Sequence, residues 1–257
     1  MVYRPIPEML RSSFSHELPA LIFDLGGVLL DWRPRDFVLD LPDKSPIDAC
    51  HVDMGSHVDR LMGIVFQDYG ENSDWVAFDL NRIDLKALVK GIAERSRTAD
   101  FEIPSSTVQQ WVESLGDRLQ VLEPSLVWLK ELKRDGFPLF YLSNMPRLFI
   151  PHITKHRRLF DLFIDGMFSG DVNLAKPSHA MFSLAQARFF SQTQVTADSL
   201  NTNKLSKVVF FDDHPLNVQS AQAFGWTAIR FENVEQARHA FINHHKHEKR
   251  CDNSAEE

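Results

Sequence analysis

Four groups of polar residues in this sequence combine side chains that could do chemistry. They are Asp24 with Gly26 and Gly27, Ser143 with Asn144, Lys176 with Pro177, and the pair Asp212 and Asp213. Each group follows an apolar run or precedes a segment with helical spacing. An aspartate can attack an electrophilic phosphorus or carbon atom when nearby cations suppress its repulsion of an anionic substrate. The sequence therefore predicts covalent catalysis with Asp24 as nucleophile.

Positive charge for that reaction would come from Lys176 and from a metal ion. Two adjacent carboxylates after an apolar run, Asp212 and Asp213, suit Mg²⁺, which binds few carboxylates and completes its shell with phosphate and water. Because neighbouring side chains on a strand point to opposite faces, we expect one of the pair to bind Mg²⁺ directly. The other then acts through water or holds Lys176, and Asp24 is a further ligand.

The remaining polar groups are suited to binding a phosphoryl group. Ser143 and the amides beside it, including that of Asn144, can donate hydrogen bonds to phosphoryl oxygens. Gly26 and Gly27 allow the main chain to approach the same group closely. Pro177 would shape the loop that presents Lys176.

Short apolar runs alternate with amphipathic segments and must position these groups. The runs predicted as strands are 19–23, 137–142, 207–211 and 226–230, with a fifth at about 162–167. Segments 125–134 and 178–189 have helical spacing. Such alternation predicts an α/β fold, a Rossmann-like doubly wound parallel sheet with helices on both faces, which binds ligands at the carboxyl ends of its strands.

The stretch from 33 to 120 interrupts this alternation and is predicted to be an inserted helical cap. Its helical patterns cover 58–66, 85–94 and 106–115. We expect the core domain to comprise 18–32 and 121–242, with an N-terminal extension, 1–17, and a disordered polar tail, 243–257. Large apolar cap residues are candidates either for the cap interior or for an apolar substrate pocket: Leu61, Met62, Val65, Phe66, Trp75 and Phe78.

Composition excludes several classes of protein. The chain has 257 residues, 44% of them hydrophobic, and a formal net charge of −7, which disfavours nucleic acid as a partner. Its two cysteines, Cys50 and Cys251, have no metal-ligand or redox spacing. The longest apolar run, 18–30, is interrupted by Asp24 and is too short to span a bilayer, and the first residues lack a signal peptide's apolar centre. We expect a cytoplasmic protein that acts on a small metabolite; the sequence does not predict its oligomeric state.

Four ordered segments resemble the motifs of the haloacid dehalogenase superfamily. They are Ile22–Asp31, Tyr141–Asn144, Ala175–Pro177, and Phe210–Asp213 with Asn217, and the resemblance extends from about residue 18 to 232. It implies a Rossmann-like core, a helical cap inserted after the first motif, an aspartyl-phosphate intermediate and a required Mg²⁺. By this resemblance Asp24 is the nucleophile, Ser143 binds phosphate, and Lys176 steadies both charges. Asp212 and Asp213 serve the metal.

One position departs from the superfamily pattern. Phosphatases of the superfamily usually carry a second Asp two residues after the nucleophile, as general acid and then base, and here that position is Gly26. Loss of a positioned acid costs about a hundredfold to ten-thousandfold in rate. The Asp-Leu-Gly-Gly variant resembles sugar-phosphate phosphatases of the glucose 1-phosphate type. In such a site the Gly26 carbonyl can bind Mg²⁺, and Asp31 or a cap residue would supply the acid.

Several functions stay open on the sequence. A phosphatase acting on a small phosphate monoester is the first hypothesis, with a sugar phosphate as substrate or, second, an isoprenoid phosphate or diphosphate. A 2-haloacid dehalogenase is an alternative, because Gly26 is compatible with attack of the same Asp on carbon. The pair Asp212 and Asp213 disfavours it, since without a metal they would only repel the substrate. The third hypothesis is a catalytically retired protein that binds a ligand through the retained fold.

Overall fold

A computed structural model describes residues 18–41, 54–70, 72–100, 102–192 and 208–253 of the chain. The predicted N-terminal extension, 1–17, and Cys50 lie outside these described residues.

Five parallel strands form one sheet in the order β3-β2-β1-β4-β5. The strands are β1 (Ala20–Phe23), β2 (Leu139–Ser143), β3 (Asp165–Phe168), β4 (Val208–Asp212) and β5 (Thr227–Arg230). All five predicted strands are present, each within a few residues of its expected position, and the α/β fold class is confirmed. Since the strand order reverses at β1, the crevice between β1 and its neighbours is the expected ligand site.

Strand β1 is central because all four of its residues are apolar and buried. Leu21 and Phe23 point into the core on one face of the sheet, and Ala20 and Ile22 point into a second core on the other face. A strand buried on both faces has a continuous apolar sequence in place of an alternating one. In the pairing of β1 with its two neighbours, Phe23 lies opposite Tyr141 of β2 and Phe211 of β4. The three strands therefore end at one edge.

Between β1 and the next core element, the described residues contain helices and no strand. These helices are α1 (Pro34–Phe37), α2 (Met54–Phe66), α3 (Asp74–Asp79), α4 (Leu85–Thr98) and α5 (Ser105–Arg118), with 3₁₀ turns at Val38–Asp40 and Gln67–Tyr69. Aromatic side chains fill their interior: Phe66, Trp75 and Phe78 are buried among them and pack edge to face. These residues are core, and not an exposed apolar pocket.

The chain enters and leaves this helical part through two adjacent segments. The amide of Asp31 donates to the carbonyl of Gln120 at 2.8 Å, and the amide of Leu122 donates to the carbonyl of Leu29 at 2.9 Å. The two crossings therefore pair with each other beside the end of β1, and helices α1–α5 are inserted at a single point of the α/β core. We call them the cap.

The core helices follow the strands in alternation. They are α6 (Glu123–Arg134), α7 (Ile150–Thr154), α8 (Arg157–Phe160), α9 (Ser169–Val172), α10 (His179–Gln192), α11 (Pro215–Phe224) and α12 (Val234–Asn253). Proline near the start of α6 and α11, and Gly225 in a left-handed conformation after α11, are standard start and stop residues. None of the helices in the described part of the chain has the length and apolar composition that a membrane crossing requires.

The end of the chain differs from the prediction. Disorder was predicted for 243–257, but α12 continues to Asn253. Ala237 and Phe241 are buried and anchor the first half of α12 against the core. Once a helix is nucleated by packing, adding polar residues to its end costs little, which explains why a polar composition alone did not reveal the helix.

Candidate active site

Asp24 is the first residue after β1 and lies at the edge where β1, β2 and β4 end. Its amide donates to the carbonyl of Phe211 at 2.9 Å, which extends the β1–β4 pairing by one residue. The amide of Leu25 donates to Asp24 Oδ1 at 2.7 Å. The carboxylate is buried and oriented by the main chain that follows it.

Lys176 joins two of the predicted acidic residues. Its Nζ lies 2.9 Å from Asp24 Oδ1 and 2.6 Å from Asp212 Oδ2, and the residue is 3% exposed. Asn144, after β2, holds the main chain of this loop: its Oδ1 accepts from the amide of Lys176 and its Nδ2 donates to the carbonyl of Lys176, both at 2.9 Å. Three strand ends are thus connected through one lysine.

Asp212 and Asp213 have different surroundings, as expected for neighbours on a strand. Asp212 is fully buried and accepts hydrogen bonds from the amide of His214 at 2.9 Å and from Asn217 Nδ2 at 3.0 and 3.1 Å, in addition to its ion pair with Lys176. Asp213 is partly exposed. Asp212 is therefore engaged in holding Lys176, which leaves Asp213 the carboxylate more accessible to a ligand.

The carboxylates of Asp24, Asp212 and Asp213 form a compact cluster in which one oxygen atom of each lies within 4.8 Å of the others. A Cβ atom added at Gly27, which has φ +71°, would lie 2.3 Å from Asp213 Oδ2, so glycine leaves the space that this carboxylate fills. Carboxylate oxygens are hard ligands that suit Mg²⁺. These residues fit a magnesium ion.

The electrostatics of the cluster also favour a cation. Burial raises the pKa of Asp24 to about 7, against the opposing effect of Lys176, and the charges of Asp212 and Asp213 add to the rise. Burial and the charge of Asp212 raise the pKa of Asp213 to about 6. Burial acts to lower the pKa of Lys176, but the charges of Asp212 and Asp24 outweigh it and raise that pKa. One lysine thus leaves the three carboxylates incompletely neutralised.

The other predicted residues lie around the same edge. Ser143 ends β2 and is buried, and Gly26 and Gly27 belong to a tight loop in which the Gly27 amide donates to the carbonyl of Leu30 at 2.9 Å. Asn144 was predicted to bind phosphate, but its carboxamide is occupied at both ends by the main chain of Lys176. We therefore assign the side chain of Asn144 a positioning role.

Sequence reasoning missed three residues that the cap side brings to this region. Asp79, at the end of α3, is buried, and the negative charge of Asp24 acts on it. The charges of Asp79 and Asp213 act on Tyr69, whose hydroxyl is buried. Trp32 lies against Gly26. Asp79 could have been recognised in the sequence, because it is a carboxylate within the apolar stretch that includes Trp75 and Phe78.

Solved structures share this fold at low sequence identity. A crystal structure of a dehalogenase is 17% identical, with a TM-score of 0.57 over 86% of this chain and 88% of that one. A haloacid dehalogenase family enzyme of Bacteroides thetaiotaomicron, in complex with magnesium and inorganic phosphate, is 18% identical, with a TM-score of 0.54 over 88% and 100%. L-2-haloacid dehalogenase of Xanthobacter autotrophicus, with chloropropionic acid covalently bound, is 16% identical, with a TM-score of 0.55 over 88% and 83%.

A comparison with curated proteins yields no significant match. The family model described as haloacid dehalogenase-like hydrolase matches residues 18–225, which include strands β1 to β4 and each of the four motifs. The chain belongs to the haloacid dehalogenase-like hydrolases.

Proposed function

We propose that the protein is a magnesium-dependent phosphatase that hydrolyses a small phosphate monoester through a phosphorylated Asp24. The observation that supports this most directly is the cluster of Asp24, Asp212 and Asp213 around a single lysine. Three buried or partly buried carboxylates with one cation would repel an anionic substrate unless a metal ion joins them. The complex of the Bacteroides relative with magnesium and phosphate supports the same reaction class.

Each residue has a defined task in this reaction. Lys176 and the Leu25 amide both bind Asp24 Oδ1, which fixes the orientation of the nucleophile. The Asp24 carboxylate attacks phosphorus, the bond to the leaving oxygen breaks, and water later hydrolyses the phosphoaspartate. Positioning and charge neutralisation supply most of the rate in such reactions. Ser143 and the amide of Gly26 are the donors that we assign to the phosphoryl oxygens, because the other amides of the 25–30 loop donate within the loop or to Asp24.

Magnesium would be held by Asp24, Asp213 and the Gly26 carbonyl, with Asp212 acting on it through water or through Lys176. When bound, Mg²⁺ neutralises charge on the phosphoryl oxygens. The substrate class that we favour is a sugar phosphate, because the Asp-Leu-Gly-Gly loop resembles that of glucose 1-phosphate phosphatases. An isoprenoid phosphate or diphosphate is the second substrate class.

A 2-haloacid dehalogenase is the competing function, and Gly26 is the observation in its favour. This reaction needs neither a second Asp nor a metal, and a structural relative carries covalently bound chloropropionic acid. Asp24 would attack carbon and displace halide. The clustered carboxylates disfavour it, since without a metal ion only Lys176 would offset their three charges.

Hydrolysis of a panel of phosphates separates these functions. Phosphate release is measured from sugar, nucleotide and isoprenoid phosphates, with Mg²⁺ or with EDTA, for wild type and Asp24→Asn. Chloride release from 2-chloropropionate is measured in parallel. We expect phosphate release that requires Mg²⁺ and falls at least about a thousandfold in Asp24→Asn. Chloride release that persists in EDTA, without phosphatase activity, would establish the dehalogenase instead.

A further inference from the structure

The position where the superfamily usually carries its acid has no side chain in this protein, and Trp32 packs against it. A Cβ added at Gly26 would lie 3.3 Å from Trp32 Cβ and 3.5 Å from its Cγ, so the tryptophan side chain covers the side of the loop from which a side chain at this position would extend. The Trp32 ring is fixed by edge-to-face packing against Phe37 and Phe66. The proton for the leaving group must come from elsewhere.

Asp31, the nearest carboxylate along the chain, does not meet this need. Arg33 Nε lies 2.8 Å from Asp31 Oδ1, and Arg33 Nη2 donates to Asp31 Oδ2 at 2.9 Å. Both oxygens of the Asp31 carboxyl group are thus engaged by the guanidinium of Arg33. In this arrangement Asp31 is an ion-pair partner of Arg33 and is not oriented by it toward a leaving group.

The cap supplies a carboxyl group with the opposite properties. Asp79 is 7% exposed, and within the described part of the chain no group hydrogen-bonds its carboxyl oxygens and no cation pairs with it. A buried carboxyl group without donors or cations is more stable in its protonated form. Burial, and then the charge of Asp24, accordingly raise the pKa of Asp79 well above its ordinary value.

The main chain of Asp79 is fixed to the phosphate-binding edge of the core. Ser169 Oγ donates to the Asp79 carbonyl at 2.6 Å, and the amide of Met145 donates to the same Oγ at 2.8 Å. Met145 lies two residues after Ser143 in the chain. A buried serine thus connects the end of cap helix α3 to the loop that follows β2, and sets Asp79 beside the region where a substrate phosphate would bind.

A second, independent feature of the cap indicates that this region takes a ligand. Gln67, Asp68 and Tyr69 have φ of 50°, 53° and 54°, a left-handed turn of three non-glycine residues. Such backbone is costly and persists where the surrounding structure imposes it, often at binding sites. It places the Tyr69 hydroxyl in a buried position beside the Trp32 side chain, without a hydrogen bond of normal geometry among the described residues. Burial raises the pKa of this phenol above its ordinary value, so it remains a neutral donor.

We propose that Asp79 is the catalytic acid of this enzyme, delivered by the cap in place of the carboxyl group missing at position 26. This rests on the proposed phosphatase function and adds its missing proton donor. Asp24 attacks phosphorus, the electrons of the phosphorus–oxygen bond pass to the leaving oxygen, and the Asp79 carboxyl proton joins that oxygen, so the alcohol departs. The Asp79 carboxylate then takes a proton from the water that attacks phospho-Asp24, which releases phosphate and restores both residues.

Leaving groups that differ in their need for a proton test this assignment. The substrates are p-nitrophenyl phosphate, whose leaving group departs without protonation, and the best sugar phosphate of the panel, whose alcohol requires it. We expect Asp79→Asn to lower kcat on the sugar phosphate by about a hundredfold to ten-thousandfold. The loss on p-nitrophenyl phosphate should be less than about tenfold, because no acid is needed there.

The controls separate chemistry from folding. Asparagine matches the neutral acid in size and polarity, so Asp79→Asn should melt close to wild type, and Glu102→Gln, an exposed cap carboxylate, should leave both activities unchanged. Asp79→Glu keeps the acid, so per molecule of folded protein it should retain more sugar-phosphate activity than Asp79→Asn. Equal losses of Asp79→Asn on both substrates would overturn the role of Asp79 while leaving the phosphatase function intact. A wild type inactive on every phosphate would instead contradict the proposed function.

Discussion

The polar groups of the strand-end site and those of the cap face opposite it differ in how they are paired. At the strand ends, Lys176 pairs with Asp24 and Asp212, and Asn217 supplies two further hydrogen bonds to Asp212. In the cap, Asp79 is buried and no cation among the described residues pairs with it, and the Tyr69 hydroxyl is buried without a hydrogen bond of normal geometry among the described residues. Ion pairs hold the strand-end site together, whereas the polar groups of the cap can still form hydrogen bonds.

This contrast separates two kinds of contribution to a site. Paired charges at the strand ends stabilise the fold and orient the nucleophile, so they must be in place before any substrate arrives. Unpartnered groups cost stability, about 1–3 kcal/mol for each buried donor or acceptor, and a protein retains them when a ligand completes them. The strand-end site is therefore suited to the attack on phosphorus, which is the same for every phosphate monoester. The cap is suited to interacting with the leaving group.

Removing the central cation should have the largest effect. Lys176→Met leaves Asp24 and Asp212 buried without their partner, a change that typically costs about 3–5 kcal/mol. We expect the free energy of unfolding in urea, measured in EDTA at neutral pH, to fall by about 3 kcal/mol. Phosphate release should become undetectable.

The matched control is Lys90→Met in the cap, where the lysine side chain is 74% exposed. It should change the unfolding free energy by no more than about 0.5 kcal/mol. If Lys176→Met were as stable as wild type, the strand-end charges would not hold the site together and the contrast between the two regions would fail.

A smaller effect should follow from crowding Asp213 without changing any charge. Gly27→Ala places a Cβ 2.3 Å from Asp213 Oδ2 on a backbone with φ +71°. The variant combines backbone strain, about 1–2 kcal/mol, with displacement of a proposed metal ligand. We expect the Mg²⁺ concentration needed for half-maximal activity to rise at least about tenfold.

Gly225→Ala isolates the strain from the displacement. Gly225 has φ +104° and open space where a Cβ would go. It should lose about 1 kcal/mol of stability and keep the wild-type dependence on Mg²⁺. Identical magnesium dependence in both variants would remove Asp213 from the metal site.

The smallest effect, and the one that most sharpens the comparison, should come from the cap. Tyr69→Phe removes a buried hydroxyl that has no partner, so we expect the protein to become more stable by up to about 1 kcal/mol. Activity should nevertheless fall, because we infer that this hydroxyl donates to the substrate. Thermal melting and kcat measured on the same preparation report both changes.

Tyr141→Phe provides the comparison within the core, where the tyrosine ring packs against Phe160 and Phe168. It should leave activity unchanged. Loss of stability in Tyr69→Phe would show that the hydroxyl is satisfied in the folded protein, and the cap would then not differ from the strand ends.

The fold could be predicted because its strands are apolar on both faces and short. Runs such as 19–23 and 207–211 have no other stable place than the interior of a parallel sheet. The carboxyl ends of these strands meet at one edge, so Asp24, Lys176 and Asp212 were expected to lie together before any coordinates. Their observed distances of 2.6 to 2.9 Å follow from that topology.

The cap and the end of the chain could be predicted only coarsely. Helical spacing located the cap helices, but the left-handed turn at 67–69 has no signature in residue type, since none of its residues is glycine. Asn144 was predicted to bind phosphate together with Ser143 and the amides beside it, and residue type alone did not indicate where its carboxamide would bind. Its actual contact with the Lys176 main chain depends on how the loop before α10 folds back.

The sequence by itself determined the family and the order of the polar residues at the strand ends, because both depend on residues that are close in the chain. The role of Asp24 as nucleophile stays a prediction. Tertiary structure alone decided which carboxylates are paired and which are not. Whether Asp79 is a surface charge or a buried acid depends on how helix α3 packs, and a serine 90 positions later holds the end of that helix through the Asp79 carbonyl. Burial and electrostatics are properties of surroundings, and these are assembled only when the cap packs against the core.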